Sequence, residues 1–356
     1  MIDRLAELRA KLEEKKADAF ICYSHPNYRY LSGFTGSLGI VIITSDRAVI
    51  ISDFRYRTQI EQQVSGFEYA EISGPAEETV LGEIKRLKIS SLAFESAHLT
   101  YRNYAQLKTI EKLELIPSEN WVEDIRTIKD SSELELIEKA VEIADAAIVK
   151  MASELKVGMT EKEASNRLNN IIRSLGGTKE AFDLIVASAE RSAMPHAQPI
   201  DCPIGAGEPI VFDLGAQFEG YHSDLTRTLW IDKIEKPQVL EIYEIVENAQ
   251  AAAIEAIKPG MGAADLDAVA RDIIADAGYG EYFGHSLGHG VGLDVHEAPA
   301  ISRLSKSEIK PGMVFTVEPG IYIPGVGGVR IEDMVVVTET GCRKLSNSPH
   351  QPLVIS

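Results

Sequence analysis

The feature that most restricts what this chain can become is a partial internal repeat. Leu155-Lys156-Val157-Gly158-Met159 returns as Ile257-Lys258-Pro259-Gly260-Met261. After each copy comes a helix-period apolar pattern, with Leu168, Ile171, Ile172 and Leu175 in the first and Ala270, Ile273 and Ile274 in the second. Both patterns stop at glycine, Gly176-Gly177 and Gly278, as helix C-termini do. Both then enter a stretch holding histidine, His196 in the first copy and His285 and His289 in the second. Two similar halves can therefore face each other across one site. The plainer alternative is two unrelated helix hairpins that share a glycine stop.

The repeat occupies only the later part of the chain. Before it, strand-like runs alternate with helical ones: 19–23, then 39–44 and 48–52 around Ser45-Asp46-Arg47, then 91–94. At Asp130-Ser131-Ser132-Glu133 a capping box opens a long helix, with Leu134, Ile137, Val141, Ala144 and Ile148 at helical spacing. A chain of 356 residues exceeds the size at which one core usually divides. We expect an α/β domain over 1–125 and an α+β domain with the internal repeat over 126–356.

Acidic residues outnumber basic ones 54 to 36, for a formal charge of −18, which disfavours nucleic acid and anionic membranes as partners. The three cysteines, Cys22, Cys202 and Cys342, are too few and too scattered for a disulfide framework or a thiolate metal site. The first residues read as an amphipathic helix with Ile2, Leu5, Leu8 and Leu12 on one side and no apolar leader. No apolar run approaches membrane-spanning length. A cytoplasmic protein is expected.

Four carboxylates stand where carboxylates rarely stand. Asp213 interrupts the apolar run Pro209 to Ala216, Glu318 the run Met313 to Gly320, and Glu332 the run Val329 to Val337. A charge inside a buried strand needs compensation. Read as hairpins, Asp213 and Asp224 flank Phe218-Glu219-Gly220, and Glu318 and Glu332 flank Pro324 to Gly328 with a midpoint at Gly325. Each pair should then be near cross-strand neighbours, where carboxylates alone repel and two divalent cations about 3.5 to 4 Å apart reconcile them. Any one of these acids, taken alone, reads more simply as a turn partner or ion-pair member; all four in mirrored hairpins do not.

Three of the eight histidines fall within Gly284 to His296. Neutral imidazole is the natural nitrogen ligand to join carboxylates, and glycines around His289 allow a close backbone there. His296 is better placed for substrate. His285 reads equally well as a core residue or as a support behind the ligands, and the repeat would bring His196 to the same cleft.

Together these motifs resemble the pita-bread metallopeptidases, family M24, which include methionine aminopeptidases, aminopeptidase P and prolidases. Asp213-Leu214-Gly215, Ser223-Asp224-Leu225-Thr226-Arg227-Thr228, Gly288-His289-Gly290-Val291-Gly292, Val317-Glu318-Pro319-Gly320 and Val329-Arg330-Ile331-Glu332-Asp333 match the family's ligand motifs in order. The resemblance implies that Asp213 binds one metal, that Asp224 and Glu332 bridge both, and that His289 and Glu318 hold the other. It implies catalytic or substrate-contacting roles for His196, His285, His296 and Glu318, and a supporting arginine at Arg330. Two divalent ions are implied, with Mn²⁺ first and Co²⁺ or Zn²⁺ as alternatives.

The leading region, with Tyr30-Leu31-Ser32-Gly33-Phe34-Thr35-Gly36-Ser37 and Asp53-Phe54-Arg55-Tyr56, resembles the creatinase-like domain of the aminopeptidase P and prolidase branch, which methionine aminopeptidases lack. That implies a short peptide with proline second as substrate, hydrolysis by water activated between two metals, and a homodimer. Strict dipeptidases of the family carry an arginine soon after the His-Glu-x-Pro motif, and here Ala300 follows at once, with Arg303 the nearest candidate. The sequence therefore leans towards Xaa-Pro aminopeptidase, with Xaa-Pro dipeptidase as the alternative. Arg191 stands where the family commonly has asparagine before its Pro-His segment. Non-catalytic pita-bread binding modules and metal-free creatine-cleaving relatives lose the ligand set that is complete here.

Overall fold

A computed structural model of the chain describes residues 3–350 and 354–355, so Met1 and Ile2 of the expected first helix lie outside the described residues. The chain divides into two units, Met1–Arg126 and Thr127–Ser356. No helix among the described residues is long and apolar enough to cross a membrane.

In the first unit the helix Arg4–Lys15 buries Leu8 and Leu12, with Leu5 half-buried. A mixed six-stranded sheet runs in the order Glu68–Ile72, Ala48–Asp53, Ile40–Thr44, Ala19–Cys22, Ser91–Glu95 and Glu114–Ser118. The β-branched runs Ile40–Thr44 and Ala48–Asp53 pair antiparallel, and their turn closes as Thr44 Oγ1 accepts the Arg47 amide at 2.9 Å. One buried carboxylate, Glu95, is satisfied by the amides of Tyr23 and Ser24 and by Asn27 Nδ2.

The second unit carries the repeat. The helix Ser131–Glu154 starts with the capping box of Asp130 and Glu133. It packs beside Glu161–Ser174, and Pro237–Ala256 packs likewise beside Ala263–Asp276. The two pentapeptides make the same bonds: the Gly158 amide donates to Ile204 O at 2.9 Å and the Gly260 amide to Ile309 O at 2.8 Å. Ile204 and Ile309 in turn donate to the carbonyls of Met159 and Met261. The repeat is thus one structural unit used twice, each copy closing over its own apolar core, one around Leu168, Phe212 and Leu229 and the other around Leu266, Phe315 and Val335.

Each half presents antiparallel strands. In the first they run Leu225–Ile231, Ile210–Leu214, Ile185–Ser188, and in the second Gly288–Gly290, Val314–Val317, Asp333–Val337. A hairpin, Gly320–Ile323 with Gly327–Arg330, extends the second half. Gly328 fits there because a Cβ would lie 2.2 Å from Ser192 O, and its amide donates to Ser192 Oγ at 2.7 Å. That contact ties the second half to the segment carrying His196.

Candidate metal centre

The two hairpins bring the four carboxylates together by different registers. In the second, Val317 pairs with Asp333 and Gly320 with Arg330, so Glu318 and Glu332 occupy the break between two ladders sharing one register centred on Gly325. In the first, Phe218 pairs with Tyr221 across Glu219 and Gly220, both at positive φ, a two-residue turn. Asp213 therefore stands opposite Thr226, not Asp224. Asp213 and Asp224 are diagonal neighbours on one face, still within reach of a shared ion.

Asp224, His289 and Glu332 each offer an atom within 4.8 Å of the others. His289 Nε2 lies 3.6 Å from Asp224 Oδ2 and 3.4 Å from Glu318 Oε1. Its Nδ1 faces Gly290 O at 3.1 Å, so Nδ1 carries the proton and Nε2 turns a lone pair toward the acids. Lone pair against carboxylates is repulsive unless a cation lies between them. Burial first, and then His296, pushes the His289 imidazole down to about 4, which keeps it neutral.

The acids show the same need. Burial raises Asp224 well above the usual carboxylate range, and Glu332, Asp213 and Glu318 raise it further. Burial likewise raises Glu332, with Glu318 and Asp213 adding to it. Burial pushes Glu318 up to about 8, against the pull of the Arg330 guanidinium and with Asp213 in support. Asp213 is raised by burial despite Arg330, and its Oδ1 is buried with no hydrogen-bond partner among the described residues. An orphaned buried oxygen, a neutral imidazole and mutually destabilised carboxylates fit a divalent pair, and oxygen-rich ligands with one nitrogen suit hard or borderline ions.

Arg330 organises the floor. Its Nη2 donates to Asp213 Oδ2 at 2.7 Å, Nε to Thr226 Oγ1 at 3.0 Å, and Nη1 to Tyr322 Oη at 2.8 Å and Pro195 O at 3.4 Å. Tyr322 Oη meets His285 Nε2 at 3.0 Å, while His285 Nδ1 faces Ser286 O at 2.8 Å. The proton order follows: Nδ1 donates to the carbonyl, so Nε2 accepts from the tyrosine, which accepts from Arg330. Burial and then Arg330 press His285 down to about 4, in keeping with a neutral ring.

A cavity of about 470 Å³ opens over these groups. Asp213, Asp224, His289, Glu318, Arg330 and Glu332 line it, as do His196, His285 and His296. Every residue expected at the site from sequence is thus at one cavity. Arg303 does not line it and is exposed in a turn after Glu297–Ile301.

Residues 135–339 match Metallopeptidase family M24, and residues 4–128 match the Creatinase/Prolidase N-terminal domain. The chain belongs to metallopeptidase family M24. An Xaa-Pro dipeptidase of Pyrococcus furiosus is 39% identical over 99% of this chain and 100% of its own length. Among solved structures, an Xaa-Pro dipeptidase from Bacillus anthracis is 41% identical with TM-score 0.96, covering 99% of both chains. An X-Pro aminopeptidase from Thermotoga maritima is 38% identical with TM-score 0.91, covering 97% of this chain and 100% of that one. The fold is therefore the creatinase-type N-terminal domain followed by the pita-bread catalytic domain, and this M24 chain is an enzyme of the metallopeptidase class.

Several residues of the M24 site were not legible beforehand. Thr226 donates to Glu332 Oε2 at 2.6 Å, and Thr316 donates to Glu318 Oε1 at 3.2 Å while accepting the His289 amide at 3.0 Å. Each is a hydroxyl inside a buried strand, and that polarity was the available signal. Tyr322, on the strand Gly320–Ile323, joins Arg330 to His285 through its hydroxyl, and no local pattern marks it. Arg191, noted only as a departure, bonds Glu161 through Nε at 3.0 Å and donates to Gln198 O at 2.7 Å, bracing the His196 loop.

Proposed function

We propose that this chain is a two-metal hydrolase that splits dipeptides of the form Xaa-Pro. The observation that carries the metal reading is the gathering of Asp224, Glu318 and Glu332 at His289, at a cavity where the buried Asp213 Oδ1 lacks a hydrogen-bond partner among the described residues. Asp213 would hold one ion, Asp224 and Glu332 both, and His289 and Glu318 the other. Bound divalent cations would supply charge that acidifies water and polarises the scissile carbonyl.

The protein's own groups divide the remaining work. Glu318 takes the proton of the attacking water and returns one to the leaving nitrogen. Proline nitrogen has no hydrogen before cleavage, so this delivery completes the leaving group. His196 and His296, at the rim, donate to the oxygen that gains charge. Arg330 keeps Asp213 oriented and joins the Tyr322 and His285 chain to the floor.

The aminopeptidase preference read from sequence gives way here to the dipeptidase alternative. The 39% and 41% identical relatives named above are Xaa-Pro dipeptidases over full length, which outweighs the inference from Ala300. Arg303 lies outside the cavity lining, so it is not the group that receives a free carboxylate; the groups at the lining that can donate a hydrogen bond to one include His196, Gln198, Ser286 and His296.

The deciding experiment compares Gly-Pro with Gly-Pro-Ala on protein stripped of metal and reloaded with Mn²⁺ or Co²⁺. We expect turnover of Gly-Pro and at least tenfold less of the tripeptide. Comparable rates would return the assignment to aminopeptidase. Undiminished activity in the stripped protein, or in Asp224→Asn, would remove the metal mechanism.

A further inference from the structure

One carboxylate at the cavity takes no part in the centre. Of the five acids lining it, Asp213, Asp224, Glu318 and Glu332 belong to the cluster, and the fifth is Asp183. Asp183 is exposed, and among the described residues no hydrogen bond or ion pair engages it. Arg330, the only lysine or arginine among the described residues of the lining, is buried and committed to Asp213, Thr226 and Tyr322.

The strand Ile185–Ser188 explains why Asp183 faces the cavity. Leu184 and Val186 enter the core of the first half, while Ile185 and Ala187 pack on the opposite side against Ala197 of the His196 loop. Side chains alternate along extended chain, so Asp183 follows Ile185 onto the cavity side, and both line it. Phe182 adds an apolar wall, and Gln198, also exposed, stands at the same lining.

We propose that Asp183 selects substrates whose first residue carries a positive side chain, so that Lys-Pro and Arg-Pro are the favoured dipeptides. This rests on the Xaa-Pro reading above. Reach separates the side chain from the α-ammonium as the cation concerned. Ile185 pairs directly with Asp213 on the neighbouring strand, so Asp183, two residues along, is a diagonal neighbour of Asp213 roughly 7–8 Å away between Cα atoms. The α-nitrogen sits only about 2.5 Å from the carbonyl carbon under attack, too close to the centre to meet Asp183. A lysine stem carries its ammonium about 6 Å from Cα, the span required, with its methylenes against Phe182.

The test measures kcat/KM for Lys-Pro and for Met-Pro, whose side chain is of similar length and neutral, in the metal-loaded enzyme. The expected ratio is about fivefold in favour of Lys-Pro, shrinking as salt is raised. In Asp183→Asn the ratio should fall to near one, in Asp183→Glu it should persist, and in Asp183→Lys it should invert and admit Glu-Pro. Because each value is a ratio within one preparation, a partly folded variant still reports. A wild-type ratio near one, or a ratio unchanged in Asp183→Asn, would overturn the inference while leaving the dipeptidase reading intact. Failure of the wild type to cleave either dipeptide would overturn both.

Discussion

Thr226 Oγ1 donates a 2.6 Å hydrogen bond to Glu332 Oε2, and the same oxygen accepts Arg330 Nε at 3.0 Å. One hydroxyl therefore fixes both a carboxylate proposed to bridge two ions and the guanidinium that holds Asp213. Such supports behind metal ligands typically matter 10- to 100-fold, by the general rule for outer partners. Thr226→Val keeps the shape and removes the hydroxyl. We expect Mn²⁺ affinity, followed by titration calorimetry, to weaken by roughly that factor, with kcat recovering partly at high Mn²⁺. Thr226→Ser should behave like the wild type; equal affinity in the valine variant would show that Glu332 needs no such support.

Metal removal should leave a protein whose stability runs against ordinary pH behaviour. In the metal-free chain the folded state raises Glu318 to about 8 and also raises Asp224 and Glu332. A carboxyl raised on folding binds its proton more tightly in the folded form, so the cost is complete above the folded value and is relieved as pH falls. The stripped protein should therefore melt at higher temperature near pH 6 than near pH 9, within the range of the raised values. Saturating Mn²⁺ should raise the melting temperature most at alkaline pH and flatten the profile, with protons released on binding. Asp224→Asn, which removes one of the repelling charges, should stabilise the stripped protein while abolishing turnover. A flat profile in the stripped wild type would mean the acids do not confront one another.

Arg191 and Glu161 offer a test of the His196 loop. Glu161 is fully buried and accepts the Ser188 amide at 2.8 Å as well as Arg191. Arg191→Met should destabilise by about 1–3 kcal/mol, since Glu161 keeps other partners. It should also lower kcat/KM through His196 well beyond the effect on metal content. Pairing it with Glu161→Gln should recover stability but not the kinetic loss. Recovery of both would reduce Arg191 to a counter-ion for Glu161.

Acid sensitivity should come from Asp333. Burial works against its charge, but the His350 hydrogen bond at 2.6 Å and the Arg227 guanidinium at 2.7 Å prevail and hold its carboxyl down at about 2. A carboxyl depressed on folding contributes stability above its unfolded value, and that contribution fades as pH falls from about 4 through about 2. It is worth about 2 kcal/mol at neutral pH. Asp333→Asn should be less stable at pH 7 and should lose less on going to pH 3 than the wild type, as read by urea midpoints; parallel losses would place the acid-sensitive group elsewhere.

Much of the centre was legible because its chemistry is locally improbable. A carboxylate within Ile210–Leu214, or at the end of Val314–Val317, has no ordinary reason to be there, and the Gly325-centred spacing of Glu318 and Glu332 matches the observed register. The repeat was legible because both pentapeptides satisfy the same backbone bonds, to Ile204 and to Ile309. The offset of Asp213 from Asp224 was not, because one residue of register depends on both Glu219 and Gly220 taking positive φ.

From the sequence alone came the acids, the histidine that can join them and the two-fold plan of the catalytic half, since each is written in residue type and spacing. Tertiary structure decided the rest: that Arg330 reaches Pro195 and Asp213, that Tyr322 finds His285, and that Asp183 is left without a partner among the described residues at the cavity. The physical reason is distance along the chain. Hydrogen bonds between segments tens to more than a hundred residues apart depend on how packed elements meet, and no local pattern of residues encodes that meeting.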